Sequence, residues 1–162
     1  VDFDPGFVAK LLAIFDDMSK IFKVILDTGA SLAITPFRDD FVDYRPADSI
    51  RSIETVNGPT AVVGVGIVRW VLVQEDGSEK ELLVHCHHVP SSSVRLLSPQ
   101  AYCAYHGFDR GQDQFGGNSA YFWMNTSNNT GRFSCPIEPR SNLPMALAKR
   151  ACRGGLCPPG AK

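Results

Sequence analysis

The chain has 162 residues, a formal net charge of -1 and a charged fraction of 20%. This length suits one domain, or a small domain with tails, and the near-neutral charge indicates neither nucleic acid nor a membrane surface as an obligatory partner. No apolar run reaches the length of a membrane span, and the start lacks the pattern of a signal peptide. Because the first residue is Val1 and not Met, we expect a piece cut from a longer product.

Residues 4–18 predict a helix, since Asp4 can cap it, Pro5 suits its first position and apolar residues recur on one face. After this helix the pattern changes to short apolar and β-branched runs separated by turn residues, which is typical of strands. The expected strands are 22–26, 33–37, 50–57, 61–73, 82–89 and 94–97, with turns at Asn57-Gly58-Pro59 and Glu75-Asp76-Gly77-Ser78. Ser98 and Pro99 then begin a short helix that reaches about Tyr105.

The second part of the chain carries a weaker pattern. Residues 109–119 are rich in Gly, Asp and Gln and predict a loop. Residues 120–124 and 132–135 can form one more hairpin. Residues 143–162 contain Pro, Gly, Lys and Arg without periodicity and predict a mobile tail. The basic residues Lys149, Arg150 and Arg153 are then expected in solvent, so we expect no nucleic-acid partner.

Five cysteines at irregular spacing favour free thiols in a reducing compartment. His85, Cys86, His87 and His88 are all potential metal ligands, but neighbours in a strand point to opposite faces and cannot converge on one ion. We therefore expect no metal site and no cofactor.

The segment 24–31 carries the chemistry, because an apolar strand delivers Asp27 into a tight turn. Gly29 allows close approach of the backbone, and Thr28 and Ser31 place hydroxyls beside the acid. A phosphatase of the haloacid dehalogenase type would need a second Asp where Gly29 stands, and a P-type pump would need a Lys between Asp27 and Thr28. Neither motif is present.

Hydrolysis of a peptide by water needs one group that takes a proton and one that gives it, and two carboxylates that share a proton do both. The chain has no second Asp-Thr-Gly, and neither Asp76-Gly77 nor Asp109-Arg110-Gly111 fits. The second carboxylate is therefore expected from another copy of Asp27 across a two-fold axis.

The spacing of these motifs resembles that of retropepsins, the aspartic peptidase domains of retroelements, and most closely the copia-type version. Asp27-Thr28-Gly29-Ala30-Ser31 matches the active-site loop, and Leu26 precedes it. Thr55-Val56-Asn57-Gly58 and the following Val63-Gly64-Val65-Gly66 resemble the flap segment. Val89-Pro90 and Val94-Arg95-Leu96-Leu97-Ser98 resemble the strand and helix start that close the fold. The resemblance covers about residues 22–107.

The resemblance implies an all-β fold, a retropepsin-like closed barrel with one short late helix. Residues 1–21 would form an N-terminal helical arm, residues 22–107 the core, and residues 108–162 an irregular extension. Asp27, Thr28 and Gly29 would be catalytic, with Thr28 bonding across the dimer, and Ser31 would orient the Asp27 carboxylate. The expected substrate contacts are Ala30, Ser31, Val56, Asn57 and Gly58, the last three near the flap tip.

The function implied by the resemblance is an aspartic endopeptidase that acts as a homodimer and processes its own Gag-Pol polyprotein. Its expected location is the cytoplasm, including virus-like particles, without membrane attachment. Two other functions remain open: a catalytically silent dimerisation or assembly module, and a host retropepsin of the ubiquitin-shuttle kind that acts on other proteins.

Overall fold

The fold is described from a computed structural model, in which residues 20–55, 57–73, 78–107, 113–115, 119–126 and 129–150 are described. The strands are β1 (Ile21–Leu26), β2 (Ala33–Thr35), β3 (Phe41–Thr55), β4 (Gly58–Val73), β5 (Glu79–His88), β6 (Arg95–Leu97), β7 (Asp113–Phe115), β8 (Ser119–Thr126), β9 (Asn129–Pro136) and β10 (Met145–Arg150). A 3-10 turn spans Arg38–Asp40 and the helix α1 spans Pro99–His106. No helix in these described ranges is long and apolar enough to cross a membrane.

The larger sheet closes on itself. Its strands follow the order β10-β1-β6-β2-β5-β4-β3, and β10 also pairs with β4, so that six strands form a ring. In this ring β6 lies between β1 and β2, parallel to β1 and antiparallel to β2. Closure leaves few unpaired strand edges, which is the structural advantage of a barrel.

The strand β4 is long enough to have two partners along one edge. Residues 58–68 pair with β3, whereas Trp70 to Val73 pair with β10. Its even-numbered side chains point inward, and Val62, Val68, Trp70 and Leu72 are buried among them. This alternation is the period-two pattern of a strand with one buried face.

The second sheet contains β7, β8 and β9 in that order. Its buried residues Ala120, Phe122 and Cys135 belong to the same apolar cluster as Val24 of β1 and Trp70 of β4. The extension beyond the helix therefore packs onto the barrel core.

The helix α1 begins and ends as the sequence predicts. The hydroxyl of Ser98 accepts a hydrogen bond from the amide of Ala101, and Pro99 takes the first position. Gly107 ends the helix in the left-handed conformation at φ 68°, which costs glycine no steric strain.

The all-β prediction, with a closed barrel and the short late helix, is confirmed for the described residues. Three local predictions were wrong. Residues 145–150 of the expected tail form β10, the expected loop 109–119 contains β7, and β3 begins at Phe41, nine residues before the expected start. The strand β10 and the first part of β3 gain their hydrogen bonds from partners distant in sequence, which local patterns do not reveal, whereas β7 pairs with the neighbouring β8.

The helix expected over residues 4–18 lies outside the described residues, and so does the turn at 75–77. The hairpin expected between 120 and 135 is present as β8 and β9. The division into arm, core and extension stays a prediction.

Candidate functional site

The candidate site is the turn that follows β1. The last three side chains of β1, those of Val24, Ile25 and Leu26, are buried. Asp27 follows them directly and is only half buried. Burial of the strand therefore delivers one carboxylate to the surface of the barrel at a defined position.

The turn orients this carboxylate by a local backbone bond. The amide of Gly29 donates to Oδ1 of Asp27 at 2.8 Å, and the amide of Ala30 donates to the Asp27 carbonyl at 3.3 Å. A Cβ atom added to Gly29 would lie 3.2 Å from Oδ1 of Asp27, so a side chain here would have to displace the carboxylate by a few tenths of an ångström. Within the described part of the chain, Ser31 makes no hydrogen bond to Asp27, whose carboxylate accepts the amide of Gly29. The orienting role of Ser31 stays a prediction.

Two neighbouring strands hold the backbone at the start of the turn. The amide of Leu26 donates to the carbonyl of Pro144 at 3.0 Å, just before β10. The amide of Asp27 donates to the carbonyl of Leu97 at 3.0 Å, at the end of β6. The position of Asp27 thus depends on the last described strand as well as on the core.

Ser98 holds the other end of the turn. Its hydroxyl donates to the carbonyl of Ala30 at 2.5 Å while it caps α1. Thr28 is half buried and Ser31 is exposed. The structure therefore brings Asp27, Gly29 and Ala30 together in one bonded turn, with Thr28 and Ser31 beside them.

The expected flap is the tip of the β3–β4 hairpin. Val56 lies outside the described residues. Gly58 has φ 100°, a conformation that favours glycine. The hydroxyl of Thr55 donates to the carbonyl of Gly58 at 2.8 Å and accepts from the amide of Asn57 at 3.3 Å. No hydrogen bond between described residues joins this tip to the Asp27 turn.

A buried carboxylate, that of Asp40, binds side chains from three strands of the barrel. Asp40 accepts hydrogen bonds from Nε of Arg95 at 2.7 Å, Nε of Arg150 at 2.7 Å and the hydroxyl of Thr35 at 2.6 Å. Burial by itself raises the pKa of this carboxyl, but the bonds from these three side chains outweigh it and lower the pKa below its ordinary value. Asp40 is therefore an ionised structural group and not a proton donor.

The side chains of β5 alternate between two faces of the sheet. His85 and His87 are half buried on one face, whereas Cys86 and His88 are buried on the other. Cys86 is fully buried, and burial raises the pKa of its thiol, so the thiol stays protonated. Nδ1 of His88 lies 2.9 Å from the hydroxyl of Tyr44, and its Nε2 lies 3.3 Å from the carbonyl of Pro36. Burial lowers the pKa of His88, which keeps it neutral beside these partners. No group of three or more His, Cys, Asp or Glu side chains in the described ranges is arranged to hold a metal ion.

Several functional contacts were missed from sequence. Arg95 interrupts an apolar run, and a charge at such a position could have indicated a buried partner, although not that the partner is Asp40. Ser98 was recognised as a helix cap, but its bond to Ala30 depends on the fold. Arg150 was expected in solvent and instead binds Asp40.

Across the residues that the structure describes, these observations define a class of protein: a closed β-barrel with one short helix, whose glycine turn carries an oriented carboxylate. The chain belongs to the family of the Pol polyprotein beta-barrel domain, whose model matches residues 24–107, just over half of the chain. The chain is thus part of the Pol polyprotein region of a retroelement. Neither the curated proteins nor the solved structures contain a match.

Proposed function

We propose that this chain is the aspartic endopeptidase of a copia-type retroelement, which acts as a homodimer and processes its own Gag-Pol polyprotein. The observation that carries the proposal is the turn after β1, where the Asp27 carboxylate accepts the amide of Gly29. The Pol polyprotein family supports the biological context, because such a polyprotein needs a peptidase to separate its parts. The proposed location is the cytoplasm, including virus-like particles.

The proposed chemistry needs two turns. In the proposed mechanism an ionised carboxylate removes a proton from water while a second, protonated carboxyl polarises the peptide carbonyl, so both forms are needed at the same time. Two copies of Asp27 facing each other across a two-fold axis would share one proton, because close like charges cannot both ionise. Thr28 would bond across this axis, and the Asn57 and Gly58 tip would close over the substrate and exclude water.

The substrate would bind as an extended chain. Its backbone would hydrogen-bond to Gly29, Ala30 and the hairpin tip like an added strand, and pockets would read alternate side chains. This mode suits a peptidase that cuts a flexible junction between folded parts of a polyprotein.

The decisive experiment expresses the polyprotein precursor with wild-type Asp27 and with Asp27→Asn. The wild-type precursor is expected to release discrete fragments, whose N-terminal sequencing identifies the cut junctions. Asp27→Asn is expected to abolish cleavage, since an amide cannot act as the base, while the fold and the dimer stay intact by circular dichroism and sedimentation.

Asp39→Asn is the matched control, because it makes the same chemical change at an exposed carboxylate. It is expected to cleave like the wild type. Cleavage by Asp27→Asn at the wild-type rate would refute the mechanism. A wild-type dimer that never cuts would instead favour the silent assembly module, and cleavage of host proteins but not of the precursor would favour the host enzyme.

An inhibitor distinguishes the proposed carboxylate-dyad mechanism from the mechanisms of other peptidase classes. A statin-type transition-state mimic is expected to block cleavage, and the activity is expected to be highest at acidic pH, where the dyad holds one proton. Activity that resists the inhibitor and is confined to alkaline pH would exclude the carboxylate dyad.

A further inference from the structure

Ser98 occupies a buried position between the Asp27 turn and the first turn of α1. It is 0% exposed. Its hydroxyl donates to the carbonyl of Ala30 at 2.5 Å and accepts from the amide of Ala101 at 3.1 Å. Since a hydroxyl has one proton and two lone pairs, it makes both bonds at once. The side chain thus links the turn directly to the helix.

The neighbour of Ser98 holds the other end of the same turn. The carbonyl of Leu97 accepts the amide of Asp27 at 3.0 Å. Two consecutive residues therefore hold the first and the fourth residue of the turn. Between these points lies the bond from the Gly29 amide to the Asp27 carboxylate. The orientation of the carboxylate consequently depends on both attachments.

We propose that Ser98 is a positioning residue for the reaction at Asp27, an inference that rests on the proposed peptidase function. Without the hydroxyl, the half-buried carbonyl of Ala30 loses its donor, which favours rearrangement of the turn toward other donors. The Gly29 amide moves with the turn, and Asp27 loses its fixed orientation toward the second carboxylate. Ser98 itself does not touch the reacting atoms.

Two substitutions at Ser98 test whether its hydroxyl is required, because one keeps this group and the other removes it. Ser98→Thr keeps a hydroxyl that can donate and cap, so its activity is expected to stay close to that of the wild type. Ser98→Ala removes the hydroxyl and is expected to lower kcat about 10- to 100-fold, the cost of misplacing a catalytic group. KM is expected to change less than kcat, because Ser98 does not itself contact substrate and affects the proposed contacts Gly29 and Ala30 only through the turn.

Ser98→Ala also removes the cap of α1, and a control must account for this. Ala104 is exposed in the last turn of the same helix, at the end away from Ser98. Ala104→Gly weakens the helix by about 1 kcal/mol, comparable to the loss of a cap, but leaves Ser98 in place. Its kcat is expected to match the wild type, although its thermal stability falls as in Ser98→Ala.

The assay uses the full chain with oxidised insulin B chain as the probe substrate and Asp27→Asn as the blank. In parallel, amide hydrogen exchange at Gly29 and Ala30 is measured by NMR. Ser98→Ala is expected to speed exchange at both amides at least tenfold, whereas Ser98→Thr and Ala104→Gly are expected not to.

The inference is overturned if Ser98→Ala keeps wild-type kcat, or if Ala104→Gly loses as much kcat as Ser98→Ala. If the wild type itself does not cleave, the proposed function fails. The hydrogen-exchange measurement then decides by itself whether Ser98 positions the turn. Faster exchange only in Ser98→Ala then supports the positioning of the turn, and unchanged exchange refutes it.

Discussion

At the scale of single residues, the site depends on what surrounds one carboxylate. Asp27 follows three buried side chains of β1, and its backbone amide is already bonded to Leu97. The carboxylate accepts the amide of Gly29, two residues along. The glycine two residues along therefore supplies a bond that orients the group, and Ser31 takes no part in that bond.

Gly29→Ala tests this orientation. Gly29 does not have a left-handed backbone conformation, so alanine meets no backbone strain. The added Cβ would lie 3.2 Å from Oδ1 of Asp27 and would push the carboxylate by a few tenths of an ångström. We expect kcat to fall about tenfold through this misplacement, with thermal unfolding almost unchanged, because the position is exposed.

The measurement compares kcat with the unfolding midpoint for Gly29→Ala and the wild type. Wild-type kcat would show that the turn tolerates the methyl group and that the bond from Gly29 does not set the catalytic geometry. A large loss of stability would instead show that the glycine serves the fold.

At the scale of elements, the long hairpin depends on close contact between β3 and β4. Gly66 pairs with Tyr44 across the two strands. A Cβ atom on Gly66 would lie 2.0 Å from the carbonyl oxygen of Asp43, well inside the contact distance. The register of β3 shifts between Phe41 and Asp43, which brings this carbonyl over Gly66.

Gly66→Ala is therefore expected to destabilise the protein by about 1–3 kcal/mol, because backbone atoms must move to accept the methyl group. Val63→Ala on the same strand is the control, since Val63 is 43% exposed and loses little packing. Urea unfolding of Gly66→Ala and Val63→Ala measures the difference between their free energies of unfolding. Equal stability of the two variants would contradict the proposed crowding at Gly66.

At the scale of the whole molecule, the sequence predicted most of the barrel because its strands alternate clearly and its helix has a cap and a stop. The strand β10 was missed, since residues 145–150 acquire their hydrogen bonds only by insertion between β1 and β4. The Asp27 turn could be predicted from its motif. Its attachments to Pro144 and Ser98 could not, because they join residues far apart in the chain.

Asp40 connects the same distant segments. Its carboxylate binds Thr35 of β2, Arg95 of β6 and Arg150 of β10. The guanidinium of Arg95 also lies between the rings of Phe22 and Phe37, at 3.8 and 4.0 Å from their centroids. One ionised group thus contributes to the closure of the barrel on both sides of β1.

Removal of the Asp40 charge is expected to lower the free energy of unfolding considerably. Asp40→Asn leaves the guanidinium of Arg95 without a counter-charge, and only 10% of this side chain is exposed to solvent. The side chain of Arg150 is 44% exposed, so it can turn to solvent instead. Breaking a buried ion pair from one side costs about 3–5 kcal/mol. Glu138→Gln is the control, because the pair of Glu138 with Lys23 is exposed and should contribute little.

The stabilisation that the ionised Asp40 contributes is expected to decrease as pH falls. The pKa of Asp40 in the folded protein is lower than its ordinary value of 3.8, so the unfolded chain takes up a proton first as pH falls. The stabilisation is therefore complete well above pH 3.8 and is lost as pH falls through the lowered value. Urea unfolding of the wild type and of Asp40→Asn between pH 7 and pH 2 should show a stability difference that is constant near neutral pH and shrinks progressively as pH falls below about 5, toward the lowered pKa of Asp40. A difference that stays constant over this range would mean that packing, and not the charge of Asp40, links these strands.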